Sequence, residues 1–174
     1  GVRLNGSILT TLSTEMAKEI EEIQKEIYTL AGREFNVSSP KQLSEVLFVE
    51  LSIPTVNLKR TKTSVSTASS ELEKLKGEYP IVALVERYRE RTKLKNTYLD
   101  VLPRLTDTES RLHTTFGQAT AATGRLSSTD PNLQNIPIRS EWGERIRSAF
   151  VASPGMLLVG ADYSQIELRV AAHL

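Results

Sequence analysis

Three absences limit what this sequence of 174 residues can be. It has no cysteine, which excludes disulfides, thiolate catalysis and zinc fingers and fits a reducing compartment. No apolar run approaches the roughly 20 residues that cross a bilayer, and the N-terminus shows no signal-peptide pattern. We therefore expect a cytoplasmic protein without a membrane segment and without an obligate protein partner.

Charge of one sign is also not in excess, since the formal net charge is +1. A nucleic-acid surface would have to come from uneven placement of charge. With 39% hydrophobic and 25% charged residues, the composition allows one ordinary domain or two small ones.

A long helical hairpin is predicted for the first part of the chain. Apolar residues recur every three or four positions through residues 9–30, ahead of Gly32, which indicates an amphipathic helix roughly 35 Å long. The same period returns in residues 80–101 after Pro80. Because an apolar stripe needs a partner, we expect the two helices to pack antiparallel.

Between these helices the sequence predicts a small helical tip. Ser39 and Pro40 have the types that cap and begin a short helix, residues 57–67 form a basic, hydroxyl-rich loop, and residues 68–76 form a second short helix. Helix starts with hydroxyl caps bind phosphate, and Lys59, Arg60 and Lys62 lie alongside. A solvated polar loop is the competing interpretation.

Charge is polarised between the two long helices. The first is rich in glutamate, and the second carries Arg87, Arg89, Arg91, Lys93 and Lys95. We predict that Arg89 and Lys93 contact DNA. The alternative is a solvent-exposed face on which some of these cations pair with Glu86 and Glu90.

Beyond residue 110 the pattern changes to strands. Alternating residues 111–116, and the apolar residues 146–151 and 156–161, predict three strands followed by a helix. The fold class is therefore α+β, with the helical hairpin ahead of part of an antiparallel sheet. We place Trp142 in a loop, packing in the core rather than stacking on a base, and interpret His113 and His173 as structural.

Asp162 is the strongest candidate for a metal ligand. The apolar run 157–161 predicts a buried strand that ends at Asp162, and residues from Gln165 onward have a helical composition. A carboxylate fixed at such a junction suits Mg²⁺, which prefers oxygen ligands and takes one or two carboxylates from protein. On its own, Asp162 is equally well explained as a helix cap.

The preceding segment strengthens the functional interpretation. Residues 122–137 are dense in amide, hydroxyl and guanidinium donors, and Leu126, Leu133 and Ile136 can fix the segment to a core. We therefore expect an ordered loop that presents donors. A solvated turn explains residues 130–132 but not Arg125 together with three side-chain amides.

Four motifs in this region resemble those of a known family. The chain carries TGRLSS at 123–128, DPNLQNIP at 130–137, RIRSAF at 145–150 and DYSQIELR at 162–169. In order and spacing they resemble consecutive motifs of family A DNA polymerases, the bacterial DNA polymerase I type. Residues 1–4 and 88–98 also resemble thumb segments of that family.

The resemblance implies roles for individual residues. Asp162 would be the catalytic carboxylate that bridges two Mg²⁺ ions, the Tyr163 carbonyl would be a further metal ligand, Glu167 would select against a 2′-hydroxyl, and Gln165 would help to position the nucleotide. The implied contacts to the DNA minor groove are Arg125, Asn132 and Asn135, with Gln118 and Gln134 less certain. The implied contacts of the tip to duplex DNA are Asn36, Ser38, Ser39, Ser66 and Thr67.

The resemblance also implies domains and partners. Residues 1–107 would be the thumb, with its tip at about 36–78, and residues 108–174 the first part of the palm. The partners would be primer-template DNA and deoxynucleoside triphosphates, in a bacterial enzyme associated with the nucleoid. We expect a fragment that is inactive alone, because the family places its fingers and second carboxylate pair downstream.

Two other functions compete with this one. The chain could be a self-contained, non-catalytic module that binds duplex DNA, and a salt titration of binding would test this. Asp162 and Glu167 could instead be the metal pair of a nuclease. That hypothesis lacks a third ligand.

Overall fold

A computed structural model of the protein describes residues 1–62 and 64–174 and shows an α+β fold, as the sequence predicts. The helices described are α1 (Gly6–Ala31), α2 (Pro40–Glu45), α3 (Ser69–Leu72), α4 (Pro80–Leu94), α5 (Glu141–Arg147) and α6 (Ile166–His173). The strands described are β1 (Val2–Leu4), β2 (Arg111–Leu112), β3 (Thr115–Gly117), β4 (Ser127–Thr129) and β5 (Phe150–Val151). Thr63, part of the predicted tip loop, lies outside the described residues.

The predicted hairpin is confirmed, and α1 packs against α4. The helix α1 ends where Gly32 adopts a left-handed conformation with φ 75°, and α4 begins at Pro80. A π-helical segment, Lys95–Leu99, continues α4. These boundaries follow local signals, because glycine tolerates positive φ and proline suits the first turn of a helix.

The cations of α4 partly face α1. Glu19 of α1 accepts from Arg87 Nη2 at 2.6 Å and from Arg91 Nε at 3.1 Å. Burial alone would raise the pKa of Glu19, but the hydrogen bonds from these two arginines outweigh it, and its pKa lies below the ordinary value. Some of the cations of α4 therefore form ion pairs with α1 and are not free to contact a partner.

The core divides into two clusters along the hairpin. One, near the tip, includes Ile27, Leu43 and Leu72. The other, at the base, includes Met16, Leu112 and Ile146 and thus joins the hairpin to β2 and α5. The base cluster fixes β1, β2 and α5 relative to the long helices.

The strands form two small antiparallel sheets. The order of the first is β2-β1-β5, with Arg3 paired to Arg111 on one side and to Val151 on the other. The second pairs β3 with β4, and Phe116 faces Ser128 in the register. The single strand predicted for residues 111–116 is therefore divided between two sheets.

The prediction of a strand from Ile146 is wrong in its first half. Residues up to Arg147 belong to α5, which Ser140 caps by accepting from the Gly143 N–H at 3.1 Å. Trp142 lies in this helix and not in a loop, although it is buried in the core as expected, with Arg145 over its ring at 4.6 Å. The cap signal at Ser140 outweighs the β-branched composition that follows.

The strand predicted for residues 156–161 is also wrong. Every residue of the C-terminal stretch, defined here as residues 154–174, is exposed, and Leu157 and Val159 are each 88% exposed. No strand of the described residues pairs with residues 156–161. A strand forms only when a neighbour accepts and donates its backbone hydrogen bonds, so an apolar run without one stays irregular.

The helices of the described residues include none that is both long and apolar enough to cross a bilayer.

Candidate nucleic-acid and nucleotide site

The donor-rich loop is defined here as residues 118–137, which include the segment 122–137 predicted to be ordered, and hydrogen bonds and core contacts hold its second half. Ser128, 1% exposed, lies at its centre, where its Oγ accepts from the Leu133 N–H at 3.2 Å and bonds to Thr114 Oγ1 at 2.7 Å. Ile136 is buried in the base cluster, and α5 packs directly on Pro137 because Gly143 leaves no Cβ between them. The loop is thus attached to a rigid base while its polar side chains remain outside.

The amides of this loop differ in how free they are. Asn132 Oδ1 accepts from the Gln134 N–H at 2.9 Å, and the Gln134 amide donates to the Leu126 carbonyl at 2.8 Å. The exposed side chains of Gln118 and Asn135 form no hydrogen bond with residues 1–62 and 64–174. All four remain predicted DNA contacts, and the last two need break no internal bond to make one.

Tyr98 connects the hairpin to this loop. Its hydroxyl donates to the Asn135 carbonyl at 2.7 Å, while its ring is buried in the base cluster. Burial raises the pKa of Tyr98, which keeps the hydroxyl protonated and able to donate. The backbone of Asn135 is therefore fixed by the hairpin, while its side chain is exposed.

Asp162 and Tyr163 lie in the exposed coil ahead of α6. Asp162 does not cap this helix, because the N-cap is Gln165, in a left-handed conformation with φ 54° and no side-chain cap hydrogen bond. The competing interpretation of Asp162 as a cap is therefore wrong. Its carboxylate accepts no hydrogen bond from the described residues and is open to solvent.

Arg125 and Glu167 bring the donor-rich loop and α6 together. The Arg125 Nη2 donates to Glu167 Oε1 at 3.0 Å, across 42 residues of sequence. Both side chains are about three-quarters exposed, so the pair contributes only about 0–1 kcal/mol to stability. The contact matters for position rather than stability, because it brings Arg125, a predicted DNA contact, next to Glu167, a predicted nucleotide contact.

The oxygen donors of this region fit Mg²⁺ in chemical type. Asp162 offers a carboxylate and Tyr163 a backbone carbonyl, and Mg²⁺ takes one or two carboxylates while water and substrate phosphates fill its other positions. Within residues 1–62 and 64–174, no three His, Cys, Asp or Glu side chains lie close enough to hold a metal. Glu167, the second ligand in the nuclease hypothesis, is paired with Arg125.

The side chains predicted to bind DNA at the tip, the Asn36 amide and four hydroxyls, differ in accessibility. Asn36 and Ser38 are exposed, and Ser39 caps α2 by accepting from the Gln42 N–H at 3.4 Å. Ser66 is half-buried and accepts from the Ala68 N–H at 3.3 Å. The N-cap of α3 is Ala68, so the hydroxyl cap expected for a phosphate-binding helix start is missing from this helix. The five side chains stay predicted contacts.

Thr67 and Arg89 contact each other. Thr67 is only 5% exposed, and its carbonyl and hydroxyl both accept from the Arg89 guanidinium. Burial lowers the pKa of Arg89. Lys93, one turn further along α4, is exposed and has no ion pair among the described residues. Of the two predicted contacts on α4, Lys93 is the freer.

Exposed cations lie on the tip loop, near these side chains. We define the tip loop as residues 57–62 and 64–67. Lys59, Arg60 and Lys62 within it are exposed and form no ion pair with any described residue. The Ser66 N–H donates to the Lys59 carbonyl at 2.9 Å, and Arg60 pairs with Val65 as an antiparallel bridge. The tip loop therefore has defined internal structure.

Sequence reasoning missed two residues that organise these surfaces. Glu71 is 2% exposed and holds the start of the tip loop, and Tyr98 holds the donor-rich loop. The signal for Glu71 was a carboxylate beside Leu72 and three residues before Lys74. For Tyr98 it was a polar tip on an otherwise apolar ring within a core stripe.

Comparisons with known proteins agree with the motifs. The model of DNA polymerase family A matches residues 6–174. Over its whole length the chain is 55% identical to the thermostable DNA polymerase I of Thermus filiformis and 53% identical to that of Thermus aquaticus, and it covers 21% of each. The chain therefore spans about a fifth of the length of these curated relatives.

A solved structure is similar in fold and sequence. The POL domain of Pol1 from M. smegmatis, in complex with DNA primer-template and dNTP, superposes with a TM-score of 0.86 at 44% identity. The match covers all of this chain and 31% of that one. With the family model matched over nearly every residue, the chain belongs to family A of the DNA polymerases.

Proposed function

We propose that this chain is the thumb (residues 1–107, with its tip at about 36–78) and the first part of the palm (residues 108–174) of a DNA-directed DNA polymerase. The whole enzyme extends a primer on a DNA template during replication and repair. Its substrates, primer-template DNA and deoxynucleoside triphosphates, place it at the nucleoid of the bacterial cytoplasm.

The contact between Arg125 and Glu167 carries this proposal. Nucleotidyl transfer needs the primer end and the incoming nucleotide side by side, because positioning is most of what the protein contributes. A DNA-facing guanidinium that reaches a nucleotide-facing carboxylate at 3.0 Å meets this requirement. Asp162 lies five residues before that carboxylate, on the same exposed stretch.

The donor-rich loop checks the shape of the base pair at the primer end. Watson–Crick pairs present acceptors at similar places in the minor groove, so donors there test geometry without reading sequence. The side chains proposed for this role are Arg125, Asn132, Asn135, Gln118 and Gln134. An enzyme that copies any template needs this kind of contact.

The C-terminal stretch provides the nucleotide and metal contacts. Asp162 and the Tyr163 carbonyl would hold Mg²⁺, two ions in the complete site, which when bound activates the primer 3′-hydroxyl and stabilises the pyrophosphate leaving group. Glu167 lies under the deoxyribose and leaves no room for a 2′-hydroxyl. Gln165 helps to orient the nucleotide.

The tip grips the duplex behind the primer end. Its hydroxyl and amide contacts are Asn36, Ser38, Ser39, Ser66 and Thr67, and on α4 they are joined by Lys93 and Arg89. The exposed cations of the tip loop add phosphate contacts that weaken with salt. Because Arg89 donates to Thr67, any phosphate contact it makes is in addition to that bond.

A chimera tests the proposal. These 174 residues would replace the matching 175-residue segment of the Thermus aquaticus relative, to which they are 53% identical. We expect the chimera to extend a primer and the Asp162→Ala chimera to lose at least about 10³-fold in rate, as expected when a metal-ion site is removed. A chimera whose extension rate is unaffected by Asp162→Ala would refute the role of this carboxylate.

The unpaired cations of the tip loop also favour the second candidate, a non-catalytic module that binds duplex DNA. Both candidates predict that the 174-residue chain binds duplex DNA without extending a primer, since it corresponds to about a fifth of its relatives. The chimera separates them. Salt-dependent binding by the chain together with an inactive but folded chimera would favour the module.

A further inference from the structure

Glu71, in α3, is the one charged side chain that is buried within residues 1–62 and 64–174. A buried carboxylate costs free energy unless hydrogen bonds and an opposite charge compensate it. Glu71 Oε2 has both, since it accepts from the Lys59 N–H at 3.0 Å and from Lys74 Nζ at 2.7 Å. The hydrogen bond from Lys74, which has the larger effect, and the one from the Lys59 N–H hold the pKa of the Glu71 carboxyl below its usual range.

These bonds fix one end of the tip loop. Lys74 Nζ also donates to the Asn57 carbonyl at 2.9 Å, so the pair of Glu71 and Lys74 holds the backbone at Asn57 and at Lys59. The Lys59 carbonyl in turn accepts from the Ser66 N–H, so fixing Lys59 also restricts residues 64–67, the second part of the loop. The carboxylate therefore organises more of the loop than the one residue it touches.

Residues 64–67, the second part of the tip loop, are held by two other helices. Ser44 of α2, 4% exposed, donates from its Oγ to the Val65 carbonyl at 3.0 Å. Arg89 of α4 donates to Thr67. On residues 57–62, where the cations lie, Glu71 and Lys74 add hydrogen bonds to those that join Lys59 and Arg60 to residues 64–67, and they fix the backbone of this half of the loop from outside.

The cations that Glu71 organises point to a polyanion. Lys59, Arg60 and Lys62 are exposed and unpaired with described residues, and Lys59 is the residue whose backbone Glu71 holds. A loop already in its binding shape loses less conformational entropy when it binds than a flexible loop does. Fixing the loop should therefore increase affinity for phosphates.

We propose that Glu71 is a positioning residue for DNA binding, a buried negative charge that strengthens the attraction of the tip for a polyanion by fixing the tip loop. The inference rests on the proposed DNA-binding role of the tip. The expected effect of removing Glu71 is the opposite of what charge alone predicts, because removing a carboxylate near three cations should increase affinity for DNA. The sign of the effect therefore discriminates between positioning and charge.

The test is a titration of labelled duplex DNA with the 174-residue chain at several salt concentrations. The variants are Glu71→Ala, Glu71→Gln and the matched control Glu78→Ala. Glu78 is exposed, and its side chain forms no hydrogen bond or ion pair with described residues. The control thus makes the same change in charge seven residues away, without touching the loop.

We expect Glu71→Ala to weaken binding about five-fold and to flatten the slope of log K against log salt by about one, the change expected when one fewer phosphate is neutralised. Glu78→Ala should bind as tightly as the wild type or more tightly. Glu71→Gln should fall between them, because its amide oxygen can still accept from the Lys59 N–H but cannot form an ion pair with Lys74. This variant keeps the side-chain shape if the alanine variant folds poorly.

A double-mutant cycle with Arg60→Ala separates positioning from general loss of structure. If Glu71 acts through the cations of the loop, Glu71→Ala should cost less affinity in the Arg60→Ala background, whereas a general loss of structure would cost the same in both. Thermal melting monitored by circular dichroism shows that each variant is folded at the temperature of the titration.

The outcomes distinguish the inference from the function on which it rests. If Glu71→Ala or Glu71→Gln binds as tightly as Glu78→Ala with an unchanged salt slope, or if the cycle with Arg60→Ala is additive, the positioning role of Glu71 is wrong while DNA binding stands. If the wild-type chain shows no salt-dependent binding to duplex DNA, the proposed role of the tip fails and the inference fails with it.

Discussion

The tip loop and residues 154–165, the part of the C-terminal stretch before α6, are both irregular segments with proposed ligand contacts, but they are ordered very differently. The tip loop has few apolar side chains, yet Glu71 and Ser44 fix its backbone from two neighbouring helices. The C-terminal stretch has a run of apolar residues, and all of residues 154–174 are exposed. Backbone partners, rather than apolar composition, decide which segment has a fixed shape.

The largest expected effect compares an apolar side chain from each region. Ile27→Ala in the tip-side core, where Ile27 is 0% exposed, should lower the free energy of unfolding by about 2–5 kcal/mol. Leu157→Ala, at a residue 88% exposed, should change it by less than about 0.5 kcal/mol. Urea denaturation of both variants measures the difference. A cost for Leu157→Ala close to that for Ile27→Ala would show that the stretch is packed in solution.

An intermediate effect is expected in acid, at the turn between the hairpin and β2. Asp107 accepts from the backbone of Arg111 at 2.8 Å and of Glu109 at 2.9 Å and pairs with His113 Nε2 at 2.7 Å. The Arg111 N–H and His113 lower its pKa from 3.8 to about 2. The stability that Asp107 contributes is therefore complete above the unfolded pKa and is lost as the pH falls from 3.8 towards about 2.

Asp107→Asn tests this dependence. The variant should be less stable than the wild type at neutral pH, and the difference should shrink through that acidic window, as measured by urea denaturation at each pH. Asp162→Asn, the same substitution at an exposed carboxylate without a hydrogen bond among the described residues, is the control and should leave the free energy of unfolding at neutral pH unchanged. An equal response of the two variants would contradict the role of Asp107.

The smallest expected effect concerns the contact that joins the C-terminal stretch to the donor-rich loop. Arg125→Ala and Glu167→Gln should each change the free energy of unfolding by less than about 0.5 kcal/mol, because the pair is exposed to water. A double-mutant cycle by urea denaturation measures the coupling between them. A coupling well above about 1 kcal/mol would mean that α6 is held much more firmly than its exposure indicates.

Local signals predicted the hairpin and the start of α2 well, whereas α3 is shorter than the helix predicted for residues 68–76. Gly32 ends α1, Pro40 and Pro80 begin α2 and α4, and Ser39 caps α2 where the sequence predicts it. Each of these residues acts on its own backbone or on a neighbour within one turn. Interactions of this range can be inferred from residue type and spacing alone.

The errors concern structure that depends on distant partners. Residues 156–161 have a strand-like composition but no neighbouring strand among the described residues, and Trp142 was assigned to a loop although Ser140 starts a helix there. The sequence also does not show which side chains use up their hydrogen bonds internally. Arg89 looked free on a basic helix face, but it donates to Thr67, 22 residues away.

The candidate site shows the same division. Its members were chosen by motif and stay predictions, while the structure shows a hydrogen-bonded donor-rich loop and an exposed Asp162 carboxylate. The meeting of Arg125 with Glu167 and the burial of Glu71 depend on how separate segments pack. No spacing rule reaches across 42 residues.

The hydroxyl of Tyr98 has a mechanical consequence. If the helical hairpin rotates and this bond stays intact, the Asn135 backbone must move with it. The Tyr98 ring moves with the hairpin, and its hydroxyl remains bonded to the Asn135 carbonyl. The orientation of the hairpin and the position of the Asn135 side chain cannot then change separately. A swing of the hairpin would therefore be transmitted directly to the donor-rich loop.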